Sequence, residues 1–394
     1  MQDPRFAPAH EVLRRHHAAG RLAGVSTLVF EGDAVVDRFC LGHADREAGT
    51  PLRPDHIHRA FSNTKLVTAV LTLMLVDEGR LALDAPVHTW IPGFAHTRVL
   101  RPGATTLDDT EARTTDITLR HLLTHTAGLS HGVFDPGTLL FDAYRAEGLR
   151  LPDKDMAHIA QRLPQLPLRF QPGTGWEYSM APDALARVVE ITTGQPFAQV
   201  LQQRLLAPLG MVDTGYVLNP AQVPRLAALY VGDVADPLAP GLNRLDSVPW
   251  REAHLTRVPR EGGASGLATT QADMLALLKS LRPGRGGPLS DALLAEMLRD
   301  QLPPGLCVNF PVTGARPTLG FSLAGAVTRG PSDLQPNTPA GEVQWGGLAG
   351  THWALVPATG QALVLMTQRH MGFWNPFWFE WKAAVYAALG LSCR

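Results

Sequence analysis

The order of elements along the chain predicts an α+β fold. It would pair an antiparallel sheet flanked by helices with a mostly helical lobe, and place an active site in the cleft between them. Three observations carry this. A hairpin pattern near the N-terminus and a series of strand-like segments near the C-terminus bracket the sequence. The segments of that second series are joined by short links, which suit antiparallel pairing and not a parallel crossover. Helical patterns dominate the middle, and segregation of strands from helices is the mark of the α+β class. The 394 residues are read as a single domain, with an α/β lobe from 1–60 and 260–394 and a helical lobe from 61–259.

Residues 9–20 read as a helix carrying the charges of RRHH. VSTLVFEGDAVVDRFCLG (25–42) reads as a hairpin turning at Gly32–Asp33. Residues 62–79 read as a helix stopped by Gly79, and TLRHLLTHTAGL (118–129) as a helix ending at Gly128. Residues 130–175 look irregular, with a helix near 155–163. Helices follow at 181–193, 197–206, 270–281 and 289–299, while 218–260 lacks periodicity and reads as long loops. TLGFSLAGAVTR, GEVQWGGLAGTHWALVP and QALVLMTQ read as consecutive strands, and FWFEWKAAVYAALG as a closing amphipathic helix.

Composition removes several function classes. Charged residues make up 18% and the net charge is −1, with no long run of one sign. Recognition of nucleic acid or of an anionic membrane through bulk charge is therefore disfavoured. Cys40, Cys307 and Cys393 are odd in number and far apart, which fits neither a disulfide framework nor a paired-cysteine metal site. The polar start of the chain lacks the apolar core of a signal peptide, and the longest apolar stretch, 66–76, is too short to span a bilayer. The expectation is a cytoplasmic protein with no cofactor and no metal, whose partner is a small molecule. The sequence leaves its oligomeric state open.

The chemistry gathers at FSNTKLVTAV, residues 61–70. Positions i and i+3 share a helix face, so Ser62 and Lys65 point the same way. The helix that follows is apolar on every side, which marks a buried helix. Only four of the 35 basic residues are lysines, yet one stands at the head of the most apolar helix. A buried lysine sheds its proton more readily, whereas arginine keeps its own. A serine beside such a base is an activated nucleophile, with helix dipoles favouring negative charge on its oxygen. By spacing alone a helix-capping serine with a snorkelling lysine is the commoner case; the all-apolar helix and the scarcity of lysine bring the two readings about even.

Three further stretches, in order, resemble one superfamily, the serine β-lactamases and penicillin-binding proteins, whose signature is S-x-x-K. LRHLLTHTAGL (119–129) resembles a segment of the class C branch, PGTGWEYSMAPDAL (172–185) its Tyr-x-Asn segment, and VQWGGLAG (343–350) its Lys-Thr-Gly strand. Met180 stands in place of the asparagine and Trp345 in place of the lysine, so polar recognition of an anionic amide is lost. Trp-Gly-Gly is similar to the β-lactamase-like family VIII carboxylesterases.

The resemblance implies a serine carboxylesterase acting on neutral short-chain esters. Ser62 would be the nucleophile, Lys65 and Tyr178 the proton-handling pair, and the backbone N–H groups of Ser62 and Leu348 the oxyanion hole. Gly346 and Gly347 would let substrate approach the strand, and Trp345, Met180, Phe134 and Phe141 would line its pocket. The alternatives are an acyltransferase using the same acyl-enzyme, a β-lactamase or D-amino peptidase, and a silent ligand-binding homologue. HLLTH (121–125) lacks the glutamate of a zinc helix, and GGASG (262–266) lacks the spacing of a nucleophile elbow, so His125 reads as a loop anchor and Ser265 as part of a tight turn.

Overall fold

The computed structural model describes residues 3–233, 236, 239–245, 252–311 and 313–391. Cys393 and parts of the 218–260 loops lie outside the described residues.

An antiparallel sheet of eight strands forms the frame. Across the sheet the strands run Leu319–Phe321, Ala326–Thr328, Val343–Gly346, His352–Val356, Gln361–Thr367, Gly24–Glu31, Ala34–Asp45 and Thr50–Pro51. The N-terminal hairpin docks beside the last strand, with Val25 opposite Thr367 and Leu28 opposite Val364. Its turn is the predicted Gly32–Asp33, with Gly32 at φ +61°.

Alternation along the strands serves two cores. Val25, Val29, Leu363 and Leu365 face one side, where they meet Phe6, Leu13, Trp378, Trp381 and Tyr386 from the terminal helices Ala7–Ala18 and Pro376–Ala388. Leu28, Phe30, Val364 and Met366 face the other side and join the core of the central helices. With both faces covered, these strands read as near-continuous apolar runs, because side chains alternate with a period of two. The helix Thr64–Asp77 is buried from Thr64 to Leu73 and packs on Ala181–Thr193, so its apolar residues on every side are all used.

Five expectations change in the structure. The segment 118–129 is helical only over Leu119–Leu123, because His125 adopts a left-handed φ of +59° and turns the chain. TLGFSLAGAVTR contains two strands, reversed at Ser322–Gly325 by the Ser322 hydroxyl, which accepts from the N–H groups of Ala324 and Gly325. GEVQWGGLAGTHWALVP is likewise two strands, turned by Gly347–Gly350. Ser62 does not open the α-helix: it sits in a 3-10 turn, Phe61–Asn63, just before it. The irregular 130–175 region also holds the helix Leu139–Ala146, capped by Thr138, whose hydroxyl accepts from Phe141 N–H.

One buried ion pair ties the C-terminal helix to the sheet. Lys382 Nζ donates to Glu342 at 2.6 Å, Gln335 at 2.9 Å and Gln344 at 3.0 Å, with both charged residues fully buried. Tyr386 donates to the other Glu342 oxygen. All three lysine donors are thereby matched, which is the condition for burying an ammonium group.

Candidate active site

The position of Ser62 is set by a strained turn and a close approach. Phe61, the residue before Ser62, holds φ at +47°, a conformation that side chains disfavour. It is retained because the Phe61 ring is buried with Leu229 and Ala349. The strand Val343–Gly346 abuts this turn. A Cβ on Gly347 would lie 2.3 Å from Ala60 O, so only glycine lets the strand's end come this near the serine. The N–H of Leu348 therefore stands one residue beyond the closest contact with the turn that carries Ser62.

Lys65 Nζ lies 3.4 Å from Ser62 Oγ and donates to Ala264 O at 2.8 Å. Burial is the largest influence on it and lowers its pKa from 10.5 to about 7. Asp183 opposes the fall, whereas Arg150 and Arg260 reinforce it. The carbonyl that Lys65 meets belongs to the turn Gly262–Gly266, the GGASG stretch. Gly263 O accepts from the Thr68 hydroxyl at 2.8 Å, and a Cβ on Gly263 would lie 2.1 Å from Pro182 O. The turn is thus wedged between two helices, and it is the backbone of Ala264, not the Ser265 side chain, that meets Lys65. Asp183, fully buried, braces the turn by accepting from Ala264 N–H at 2.9 Å and from Arg260 at 2.7 Å.

Tyr178 completes the cluster. Its ring lies 4.6 Å below Lys65 Nζ, and its hydroxyl is hydrogen-bonded to Ser62 and accepts from Trp345 Nε1 at 3.3 Å. Burial raises the phenol's pKa, and these two bonds only partly oppose it, so Tyr178 stays protonated near neutral pH. The loop Trp176–Ser179 is held by His125. Its carbonyl accepts from Glu177 N–H at 3.0 Å, and its Nδ1 accepts from Ser179 N–H at 3.2 Å. His121 Nδ1 accepts from Thr118 N–H, so both histidines of HLLTH are engaged by protein groups, His121 locally and His125 at long range.

The pocket is aromatic. Trp345 packs on Tyr178, Phe321, Phe310 and Phe373, with ring centroids 5.2–6.0 Å apart. Phe134 reaches Tyr178 at 5.7 Å and Trp374 at 5.4 Å. Phe141 does not join them: its ring lies under the Arg145 guanidinium instead. Met180 is buried at the start of Ala181–Thr193, its N–H bonded to Ser130 O. A cavity of about 520 Å³ opens beside Tyr178, lined by His131, Phe134, Trp176 and Phe310 among others.

Sequence reasoning missed His131, Asp183, Arg260 and Phe310. His131 stacks on Tyr178 at 5.3 Å with the rings 7° from parallel. No spacing rule brings these residues to Ser62, because each arrives by a long-range contact.

A serine with a depressed-pKa lysine three residues on, a bonded tyrosine and a glycine-bearing strand edge make up the candidate site. The chain belongs to the beta-lactamase family, whose model matches residues 9–374. It is 34% identical over 380 residues to Esterase EstB of Burkholderia gladioli, covering 93% of this chain and 91% of that one. It is 29% identical over 327 residues to a monacolin J acid methylbutanoyltransferase of Aspergillus terreus, covering 79% and 76%. Among solved structures, EstCE1, a hydrolase with promiscuous acyltransferase activity, matches with a TM-score of 0.81 and 27% identity over 97% of this chain and 98% of that one.

Proposed function

We propose that the protein is a serine esterase that hydrolyses short-chain carboxylic esters through an acyl-enzyme on Ser62. The observation that carries this is the buried Lys65, pushed to about 7 and standing 3.4 Å from the Ser62 hydroxyl. At neutral pH a large fraction of such a lysine is the free amine. Its lone pair takes the serine proton as Oγ attacks the ester carbonyl.

Two N–H groups receive the oxyanion, those of Ser62 and Leu348. Preorganised donors of this kind are worth roughly 3 kcal/mol of barrier. Trp345 donates into the Tyr178 oxygen, which directs the phenol's own hydrogen away from the indole and toward the reacting centre. Tyr178 therefore hands a proton to the departing alcohol and recovers one through Lys65. Water then attacks the acyl-enzyme along the same path, releasing the acid. Trp345 and Met180 offer no charge to an anionic amide, while EstB is named an esterase, and both favour esters over penicillins.

The test is turnover of p-nitrophenyl esters from acetate to octanoate by wild type and Ser62→Ala, with mass spectrometry of the acyl adduct. Loss of turnover and of adduct in the variant is expected; equal turnover in both refutes the assignment. Acyl transfer to an alcohol is a second reading, favoured by the aromatic enclosure of the site. Its measure is the yield of new ester when alcohol is added.

A further inference from the structure

The GGASG turn governs more than one hydrogen bond. Among the described residues Lys65 Nζ has two hydrogen-bond partners, Ser62 Oγ at 3.4 Å and Ala264 O at 2.8 Å. The first distance is long for proton transfer, since a general base acts at about 2.6–3.2 Å. The second bond therefore decides where the amine sits. As a free amine, Nζ carries two hydrogens and one lone pair. Anchoring one hydrogen on Ala264 O restricts rotation about the Cε–Nζ bond, and with it the direction of the lone pair.

Ala264 is itself held from its other side. Its N–H donates to Asp183 Oδ1 at 2.9 Å, and the second oxygen of that carboxylate takes the Arg260 guanidinium at 2.7 Å. Both glycines before Ala264 serve this approach. A Cβ on Gly262 would lie 2.6 Å from Asp183 Oδ1, and one on Gly263 would lie 2.1 Å from Pro182 O. Gly262 O also accepts from the Tyr216 hydroxyl at 2.6 Å, and Leu267 N–H donates to Thr64 Oγ1 at 3.3 Å. The turn is tied at both ends, with the carboxylate between. The Asp183 side chain is wholly buried and that of Arg260 is 11% exposed. Desolvating an ion pair is costly, and apolar packing holds a turn without that cost. What the pair adds is a charge-assisted bond to Ala264, shorter and roughly twice as strong as a neutral one.

We infer that Asp183 is a positioning residue for proton transfer: acting through Ala264, it sets the Lys65 amine in line with the Ser62 hydroxyl, and Arg260 keeps the carboxylate in place. This rests on the esterase reading above and adds to it the group that aligns its base. Asp183 acts through its charge as well. Around Lys65 stand Tyr178, His125 and His131, which burial keeps neutral near pH 7, and the cations Arg150 and Arg260. Asp183 is the carboxylate that favours the protonated lysine against them. Removing its charge moves the titration of Lys65 to lower pH.

The test measures kcat and KM for p-nitrophenyl acetate across the pH range, with melting curves, in wild type, Asp183→Asn and Asp183→Leu/Arg260→Met. An asparagine has one oxygen for the two donors that the carboxylate serves. In Asp183→Asn, kcat on the alkaline plateau should fall about tenfold to a hundredfold, the scale of a misplaced reacting group, with KM little changed. The rising limb of its profile should move to lower pH. The double variant exchanges the buried ion pair for apolar side chains, a replacement that folds commonly tolerate. There the limb should return toward its wild-type position, since both charges are gone, while kcat stays low. A plateau kcat equal to that of wild type in either folded variant overturns the inference. So does a loss of kcat in Asp183→Asn with no movement of the limb, which marks a merely structural role. Absence of ester turnover in wild type, or equal turnover in Ser62→Ala, would instead overturn the esterase reading. The coupling of Asp183 to Lys65 is then judged without turnover, by NMR titration of 13C-labelled lysine. The chain has only four lysines, and Lys65→Met assigns the signal. A Lys65 midpoint that is the same in wild type and Asp183→Asn overturns the inference.

Discussion

Replacing Lys65 by methionine should make the fold more stable at pH 6 and less stable above pH 10. The ammonium group is buried, and burial lowers its pKa from 10.5 to about 7. That gap, at about 1.4 kcal/mol per pH unit, corresponds to roughly 5 kcal/mol. The sign follows from proton counting. Between pH 7 and 10.5 the unfolded chain binds a proton at this site and the folded chain does not, so wild-type stability climbs as pH rises through that window. Below pH 7 the folded state carries the full cost of the buried charge; above 10.5 it carries none.

Methionine has no charge and removes the climb. It also leaves Ala264 O without its 2.8 Å donor, which costs about 1–3 kcal/mol at any pH. The variant therefore gains about 2–4 kcal/mol at pH 6, falls behind wild type by about 1–3 kcal/mol above pH 10.5, and crosses over between. Denaturant unfolding of both proteins at pH 6, 8 and 10 measures it, with catalysis abolished throughout. A stability difference that does not change with pH would refute the idea that Lys65 is held neutral by burial, and with it the assignment of Lys65 as the base.

Other outcomes follow from the same site. The pH profile of kcat/KM should rise through a pKa near 7 as Lys65 deprotonates; a flat profile from pH 6 to 8 contradicts it. Tyr178→Phe should lower kcat by about a hundredfold or more with little change in thermal stability, since proton transfer by a positioned group contributes on that scale. Gly347→Ala should depress kcat at least tenfold while leaving the fold intact, because its methyl would drive the strand away from Ala60; normal activity would show that the strand edge is not part of the oxyanion site. Lys382→Met should destabilise the fold by about 3–5 kcal/mol by stranding Glu342, and adding Glu342→Gln should recover much of that, as melting curves would record.

The sequence made the sheet and the nucleophile legible for different reasons. Strands such as Gly24–Glu31 and Gln361–Thr367 are covered on both faces, so they stand out as apolar runs. Ser62 and Lys65 are local neighbours, and a short-range rule finds them. Tyr178 and Trp345 came into view only through resemblance, since nothing in their spacing joins them to Ser62. The placement of His131 against Tyr178 and of Asp183 against Ala264 depends on turns whose geometry is set from outside. His125 goes left-handed because its ring and carbonyl are claimed by Ser179 and Glu177, fifty residues away, and so a helix expected to run to Gly128 ends at Leu123. Phe141 was expected to share the pocket wall with Phe134; the Thr138 cap starts a helix there that places its ring against Arg145.

The pairing of Gly24–Glu31 with Gln361–Thr367 also orders events in time. A nascent chain emits its N-terminal hairpin early, but the strand that hydrogen-bonds its inner edge is more than three hundred residues from being made. At roughly 5–20 residues per second that is a wait of roughly 20–60 s. Until then the hairpin's Val25 and Val29 have neither the last strand nor the closing helix to cover them. The Trp345 strand edge, which would meet Ser62, likewise emerges more than two hundred residues after it. Hydrolytic capacity is therefore withheld from the growing chain until that strand has left the ribosome. A chain released early would carry its serine and lysine without the other half of the site.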